Sequence, residues 1–513
     1  VHGEETKIKH IVIVGGGTAG WLAANHLAVD VAEDVTITLV ESPNIPTIGV
    51  GEGTVPVIVD SLKKFGIRES DIFRLCDATF KNGIHFVGWN KSVNGQPHRY
   101  FHPFDDPNVN GVNLLPYWLH QLPEARARFD QSVSIQTHIA LENKAPKLIT
   151  DAEYDRMINY AFHLDAGKFS ALLAEHAVKN RRVNHIKDDV ESVQIAPDGF
   201  ISGLQLKQGD VLKGDLFIDC SGFQSLLLGK ALNTPFIDKS DVLFANHAVV
   251  TQVPYEHAQE VPPYTISTAQ QAGWIWDIGL QSRKGVGHVY SDQFTTHEQA
   301  HRDLCAYLGK SENAVESRLI KMQVGFRAEA WVKNCIGIGL SQGFVEPLEA
   351  TGLLVFDLAA RMLSKRLPTQ RQEMPAIAKQ FNQHMAHVWQ SIVDFIKLHY
   401  CISNRDDSEF WRMNRAAETI PDSLQQKLAL WRNDIPNEYD FVSSLDVFRL
   451  ENHLYVLYGM GYPSRCKYPS PQQVSQQEAM LKLVAQRQIQ AGTMLDTHSN
   501  LVAKASRYGF QRI

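Results

Sequence analysis

The run Lys9-His10-Ile11-Val12-Ile13-Val14, closed by Gly15-Gly16-Gly17-Thr18-Ala19-Gly20, leaves this chain few folds to choose from. A short, continuously apolar run is the pattern of a strand buried on both faces. Trp21-Leu22-Ala23-Ala24-Asn25-His26-Leu27 then reads as a helix, and Val35-Thr36-Ile37-Thr38-Leu39-Val40 as a second strand ending at Glu41. Gly15, Gly17 and Gly20 fit the dinucleotide fingerprint. The first allows a tight turn, the second lets a pyrophosphate approach the backbone, and the third lets helix and strand pack closely. The phosphates would rest on free N–H groups at the helix N-terminus, around Thr18 and Ala19. Glu41 is placed to accept ribose hydroxyls and would repel a 2′-phosphate. The expected class is α/β with a Rossmann-type nucleotide domain; this unit alone does not separate FAD from NAD.

At roughly 100–200 residues per domain, a chain of 513 residues implies more than one lobe. A formal net charge of −6 gives no basic footprint for nucleic acid. Cys76, Cys220, Cys305, Cys335, Cys401 and Cys466 are scattered without metal-type spacing, so no metal site is expected and reduced thiols in a cytoplasmic protein are the plain reading. The N-terminus lacks a secretory signal pattern, and no apolar run reaches the ~20 residues of a membrane span. The stretch Tyr100 to Pro123, rich in aromatics and proline, reads as loop. Phe162 to Ala177 reads as helix, and Val183 to Ser221 as short strands turning at Pro197-Asp198-Gly199. Another strand-rich stretch runs from about Val242 to Tyr290. Beyond Gly352 the chain reads as mostly helical, with a long amphipathic run from about Ala376 to Ile402.

A second set of segments resembles a known family. Pro46-Thr47-Ile48-Gly49-Val50-Gly51-Glu52-Gly53-Thr54-Val55-Pro56 is similar to the strap after the second strand in flavin-dependent tryptophan halogenases. Thr79-Phe80-Lys81-Asn82-Gly83-Ile84-His85-Phe86-Val87-Gly88-Trp89 resembles the segment with their catalytic lysine. Trp274-Ile275-Trp276-Asp277-Ile278 matches their W-x-W-x-I signature, with Gly279 where proline is usual. Gly343-Phe344-Val345-Glu346-Pro347-Leu348-Glu349-Ala350-Thr351-Gly352 resembles their glutamate and halide segment, and Ser391 to Tyr400 with Phe410-Trp411-Arg412 also matches.

The resemblance implies a fold like that of flavin monooxygenases with an appended, mostly helical substrate module. Residues 1–110 and 161–370 would form the FAD-binding part, 111–160 an insertion of the substrate module, and 371–513 the helical module. It implies FADH2 supplied by a separate flavin reductase, a chloride or bromide ion, an aromatic substrate, and a homodimer as a family expectation. Ile48, Gly49, Val50 and Gly51 of the strap, Val190 near the adenine, and Leu340 and Leu353 beside the isoalloxazine are the further cofactor positions it implies. Asp219-Cys220-Ser221-Gly222 resembles the second flavin strand.

The chemistry gives these residues roles. Halide does not attack an aromatic C–H bond until it is oxidised, and in the family a flavin C4a-hydroperoxide makes hypohalous acid. Thr351 and Gly352 open a helical run whose free N–H groups suit a halide. Lys81 would hydrogen-bond hypohalous acid or form a haloamine, and Glu349 would orient it and take the proton lost from the ring. Trp274 and Trp276 either shield the flavin or simply pack the core. His102 and Phe104 match positions that sandwich the substrate ring, with Phe448 and Asn452 as further contacts. The family's grip on the amino-acid end of tryptophan is missing: Pro436, Asn437 and Ser443 stand where its tyrosine pair and glutamate are expected, and Phe448 replaces a tryptophan. The chain is therefore expected to halogenate an indole-type ring without being specific for free tryptophan. A flavin-dependent aromatic hydroxylase is the alternative, though its Asp-Gly and Gly-Asp motifs are not intact at Asp219-Cys220-Ser221-Gly222 and Gly339-Leu340-Ser341-Gln342.

Overall fold

The computed structural model describes residues 7–45, 51–122, 126–257, 259–441 and 443–510. Ile48, Gly49 and Val50 lie outside the described residues. The first strand, His10–Val14, runs parallel to Thr36–Glu41 on one side and to Leu216–Asp219 on the other. These sit in a six-stranded sheet completed by Asn184–Lys187 at one edge and by Cys335–Gly337 and Trp331–Val332 at the other. Both faces of the first strand are covered, as its unbroken apolar run requires. Ile11 and Ile13 face the main core with Trp21 and Leu22. Val12 and Val14 face a smaller core with Phe217, Leu227 and Leu204, the last on a three-stranded antiparallel sheet.

The glycines earn their places by contact. Gly15 has φ +114°, and a Cβ there would stand 2.1 Å from the Cys220 carbonyl oxygen. A Cβ on Gly20 would stand 2.0 Å from the Gly15 carbonyl oxygen. The helix Thr18–Asp30 can therefore approach the strand only with glycine at both points.

A seven-stranded sheet carries the other half of the site. Its order is Arg318–Lys321, His247–Pro254, Arg283–Tyr290, Gly273–Gly279, Thr265–Gln270, Gly83–Val87 and Arg99–Pro103. All neighbours pair antiparallel except Thr265–Gln270 with Gly83–Val87. The expected loop from Tyr100 to Pro123 is corrected here: Arg99–Pro103 is a strand and Leu115–His120 a helix. Tyr100 and Phe101 are bulky aromatics that fit a pleated, buried face, and Pro103 is tolerated because it ends an edge strand. The expected helix at Phe162 also begins later. Ala161–Leu164 is a strand, and the helix Ala166–Arg181 starts after Asp165, whose side chain accepts from the Lys168 N–H at 3.0 Å.

The long amphipathic run forms the helix Met374–Cys401. From Ile392 to Tyr400 it is buried on every side. Asp394, Lys397 and His399 on that stretch must find polar partners, since an unpaired buried charge is costly. No helix among the described residues is long and apolar enough to cross a membrane. All six cysteines are free.

Candidate active site

A cavity of about 470 Å³ begins at the glycine turn, within the roughly 300–1,000 Å³ typical of ligand clefts. Its wall includes Gly15, Gly17, Thr18, Ala19, Glu41 and Val190, together with Gly51, Lys81, Leu340, Gly352 and Leu353. All of these were expected from the sequence at a cofactor or reacting position; Gly20 is not in the wall, and its part is helix packing. A dinucleotide fits what the wall offers. A Cβ on Gly17 would meet nothing within 4 Å, so the backbone there faces open space. The helix that follows has no side-chain cap, which leaves its first N–H groups free for phosphate. Glu41 is steadied by His185, whose Nε2 lies 2.7 Å from Oε1. Trp274 and Trp276 also line the cavity, so their rings face the cofactor space while packing into the core.

Lys81 ends the strand Thr79–Lys81, which pairs antiparallel with Ala161–Leu164. The chain then turns through Asn82 into Gly83, at φ +150°, and joins the seven-stranded sheet. A Cβ on Gly83 would stand 2.3 Å from the His102 carbonyl oxygen, so the corner demands glycine. Lys81 is 1% exposed. Its Nζ donates to the Thr54 carbonyl at 3.0 Å and lies 5.7 Å from the centre of the Phe104 ring. Burial pulls its ammonium down to about 8, against an opposing pull from the Glu349 charge.

Glu349 lies in the segment before the helix Thr351–Lys365 and is 3% exposed. Lys81 forms no direct ion pair with it. Its Oε1 receives instead the Nδ1 of His102 and the Nε2 of His399, each at 2.9 Å. Its Oε2 has no protein partner among the described residues. Burial by itself would raise this carboxyl, but the charge and hydrogen bonds of His102 and His399 outweigh it and hold it at about 2. His102 is further held through Nε2 by Asn452 Nδ2 at 3.2 Å. The oxygen of Asn452 accepts from the Arg449 N–H at 2.9 Å, which turns the amide nitrogen toward His102. Asn452 thus orients His102. Phe448, 6% exposed, stacks on Phe395 with ring centres 4.0 Å apart.

Three residues before Glu349 stands a second buried glutamate. Glu346 Oε2 accepts from Trp274 Nε1 at 2.7 Å and from the Tyr400 hydroxyl at 2.6 Å. Burial raises the Glu346 carboxyl to about 7 in spite of those bonds. Consecutive residues of one helix, His399 and Tyr400, therefore each hold one glutamate. Sequence reasoning matched this helix segment but gave neither residue a role. The signal available was two polar side chains inside a run with no solvent face.

The helix Thr351–Lys365 starts after Ala350, an alanine at φ +56° with no side-chain cap. Thr351 is 1% exposed, and its hydroxyl is buried without a hydrogen-bond partner. A free helix N-terminus beside an orphaned hydroxyl, next to Gly352 in the cavity wall, suits a small anion. Of the residues expected to grip tryptophan's polar end, Pro436 is buried, while Asn437 caps a short turn through the Tyr439 N–H and Ser443 bonds the Leu445 N–H. Asp219 is wholly buried and spends its carboxylate on the N–H groups of Ser221, Leu227 and Leu228, so it serves the fold.

The family model described as tryptophan halogenase matches residues 10–476. A tryptophan 6-halogenase, ThaL of Streptomyces albogriseolus, is 37% identical over 447 residues, covering 84% of this chain and 83% of its own length. A tryptophan 7-halogenase, RebH of Lentzea aerocolonigenes, is 35% identical over 440 residues, covering 83% and 82%. The crystal structure of a tryptophan halogenase from Shewanella frigidimarina superposes with a TM-score of 0.95 at 40% identity, covering 99% of each chain.

Proposed function

The chain belongs to the tryptophan halogenase family and is a flavin-dependent halogenase, and from that premise we propose that Lys81 and Glu349 direct hypohalous acid onto an electron-rich, indole-type ring. The observation that carries this reading is Lys81's station. It lines the same cavity as the glycine turn, stands beside Phe104, and is close enough to Glu349 to feel its charge. Reduced flavin with dioxygen supplies the two-electron oxidation that turns halide into hypohalous acid. FAD would be held by the cavity wall named above, together with the strap residues Ile48, Gly49 and Val50. The halide would rest against the N–H groups of Thr351 and Gly352 with the Thr351 hydroxyl. We assign residues 1–110 and 161–370 to the flavin part, and 111–160 with 371–513 to the substrate part.

The residues divide the work by position. The Lys81 ammonium donates to the oxygen of hypohalous acid, holds it out of water and makes its halogen more electrophilic. The ring stacks between His102 and Phe104, with Phe448 as a further contact. Glu349 stabilises the ring cation electrostatically through Oε2 and accepts its proton; a weak carboxylate base suffices because a ring cation is a strong acid. Trp274 and Trp276 keep bulky rings over the cofactor space. A hydroxylase would share the fold, but the relatives at this level of identity are halogenases.

The test is product analysis with a flavin reductase, FAD and an aromatic panel, run in chloride and then in bromide. Halogen isotope patterns in the product support the reading, and products heavier by one oxygen alone overturn it. Lys81→Ala should lose ring halogenation while a scavenger still traps hypohalous acid.

A further inference from the structure

Lys81 shares its corner of the cavity with a second polar group, the hydroxyl of Thr265. Thr265 opens the strand Thr265–Gln270 and pairs with Ile84 on the strand Gly83–Val87, into which the Lys81 segment leads. It is 7% exposed, and its branched side chain has little rotamer freedom. His163 fixes it further, with Nε2 2.8 Å from Oγ1. His163 is anchored in turn. Its Nδ1 lies 3.4 Å from the Thr79 oxygen, and the Thr79 hydroxyl donates to the Gly279 carbonyl at 2.7 Å. Next to both the amine and the Thr265 hydroxyl stands Gly53, also in the cavity wall. A Cβ there would lie 3.1 Å from Lys81 Nζ and 3.5 Å from Thr265 Oγ1. Gly53 does not adopt a left-handed backbone, so no turn demands the glycine. What its missing side chain leaves is room in front of both polar groups.

We propose that Thr265 is a catalytic residue, the second contact for hypohalous acid, and that the space in front of Gly53 is the seat of that molecule. An ammonium has three hydrogens, and among the described residues Lys81 spends one, on the Thr54 carbonyl at 3.0 Å. A hydroxyl has one hydrogen and two lone pairs, and among the described residues His163 engages one of these. Each group keeps capacity for a small molecule that is itself both acceptor and donor. The oxygen of hypohalous acid accepts from Lys81, and its O–H donates to Thr265. A single contact would leave the molecule free to swivel about that bond. Two contacts fix the plane of its three atoms, and with it the direction in which the halogen points. A hydroxyl suits the place because, unlike a thiol or a thioether, it is not readily consumed by the oxidant. When the ring attacks, the oxygen–halogen bond breaks with its electron pair on oxygen. A Lys81 proton completes water there, and the proton lost from the ring passes to Glu349. Transfer of that proton from the carboxyl to the amine restores both groups.

This role rests on the reading of Lys81 as the group that receives hypohalous acid. The test is how the oxidant divides between ring and solution. Thr265→Val keeps the shape and removes the hydroxyl, whereas Thr265→Ser keeps the hydroxyl. With a flavin reductase, FAD, bromide and indole, halogenated ring and scavenger-trapped hypohalous acid are measured side by side. In the valine variant the total should hold while the ratio of ring product to trapped oxidant falls about fivefold, the weight of one neutral hydrogen bond. The serine variant should return that ratio to within about twofold of wild type. FAD affinity, read by fluorescence quenching, should be the same in all three proteins. A crystal structure of Thr265→Val should show Lys81 still on the Thr54 carbonyl. A wild-type ratio in the valine variant overturns the proposal. So does a serine variant as leaky as valine, or a Lys81 that has left Thr54, since the effect would then be indirect. Should the valine variant not fold, Gly53→Ala decides: its added methyl fills the seat and should lower the ratio with FAD affinity unchanged, and a wild-type ratio there overturns the proposal. Ring halogenation surviving in Lys81→Ala would sink the functional reading itself, whereas a fully coupled Thr265→Val would sink this inference alone.

Discussion

Replacing Lys81 with methionine should make the protein more stable and catalytically dead. The ammonium is 1% exposed and has one hydrogen bond, to the Thr54 carbonyl, and no ion pair. Its midpoint is lowered by burial from 10.5 to about 8. At about 1.36 kcal/mol per unit, the charged form costs the fold about 3 kcal/mol. The sign follows from linkage: the folded value lies below the unfolded one, so the penalty is fully present below about pH 8 and fades as pH rises toward 10.5. Methionine matches the shape and carries no charge. It leaves the Thr54 carbonyl unpaired, which takes back about 1–2 kcal/mol. The net gain at pH 7 is about 1–2 kcal/mol. For a chain of this length, an unfolding entropy near 2 cal/mol/K per residue converts that to a Tm rise of about 1–2 °C. Scanning calorimetry of both proteins at pH 7 and pH 10, with a halogenation assay alongside, checks it. The advantage should vanish at the higher pH. A Lys81→Met protein that melts several degrees below wild type at pH 7, or that halogenates at near wild-type rate, would refute the reasoning.

Glu349→Gln keeps size and removes charge; turnover should fall by about two to four orders of magnitude, the scale of a lost acid–base group, and a loss under about threefold would make Glu349 structural only. Thr351→Val removes an unpartnered hydroxyl at constant shape, so it should raise the halide KM several-fold while flavin affinity, read by fluorescence quenching, stays put. Equal halide KM values would mean the hydroxyl faces no anion. Indole or a simple derivative should show a higher kcat/KM than free tryptophan, with attack at C3. Burying an ammonium and a carboxylate without partners costs several kcal/mol, and no clamp stands at Pro436, Asn437 and Ser443. Tryptophan ahead by about tenfold, with one benzo-ring isomer, would point to a clamp built from other residues.

The nucleotide half was legible because its constraints are local. Gly15 and Gly20 sit where a single Cβ would collide with a carbonyl oxygen, so the residue type reports the contact directly. Lys81 and Glu349 are 268 positions apart in the chain, and nothing local in either segment announces the other; only the family pattern linked them. The clamp of His399 and Tyr400 was missed because a histidine on an apolar helix usually reads as core, and its partner is fixed by tertiary packing alone. The strand Arg99–Pro103 is hidden in the sequence because it opens a stretch, Tyr100 to Pro123, whose aromatics and prolines together read as loop, whereas an edge position removes the cost of Pro103. Ala350 at φ +56° was invisible for the same kind of reason, since alanine carries no sign of a left-handed turn.

The corner at Asn82–Gly83 has a meaning for how such an enzyme could diversify. The amine's position is set by the register of two sheets, through the pairing of Lys81 with Ala161 and of Gly83 with Pro103. A one-residue slip would turn the side chain to the opposite face, so the amine is fixed to the scaffold. Phe448, proposed on the ring's far side, comes from the segment that links the helices after residue 374 and leads into Leu450–Gly459. New substrates are therefore to be sought by recarving those helices around a stationary nozzle, and libraries that spare both sheets should keep their oxidant on target while their scope drifts.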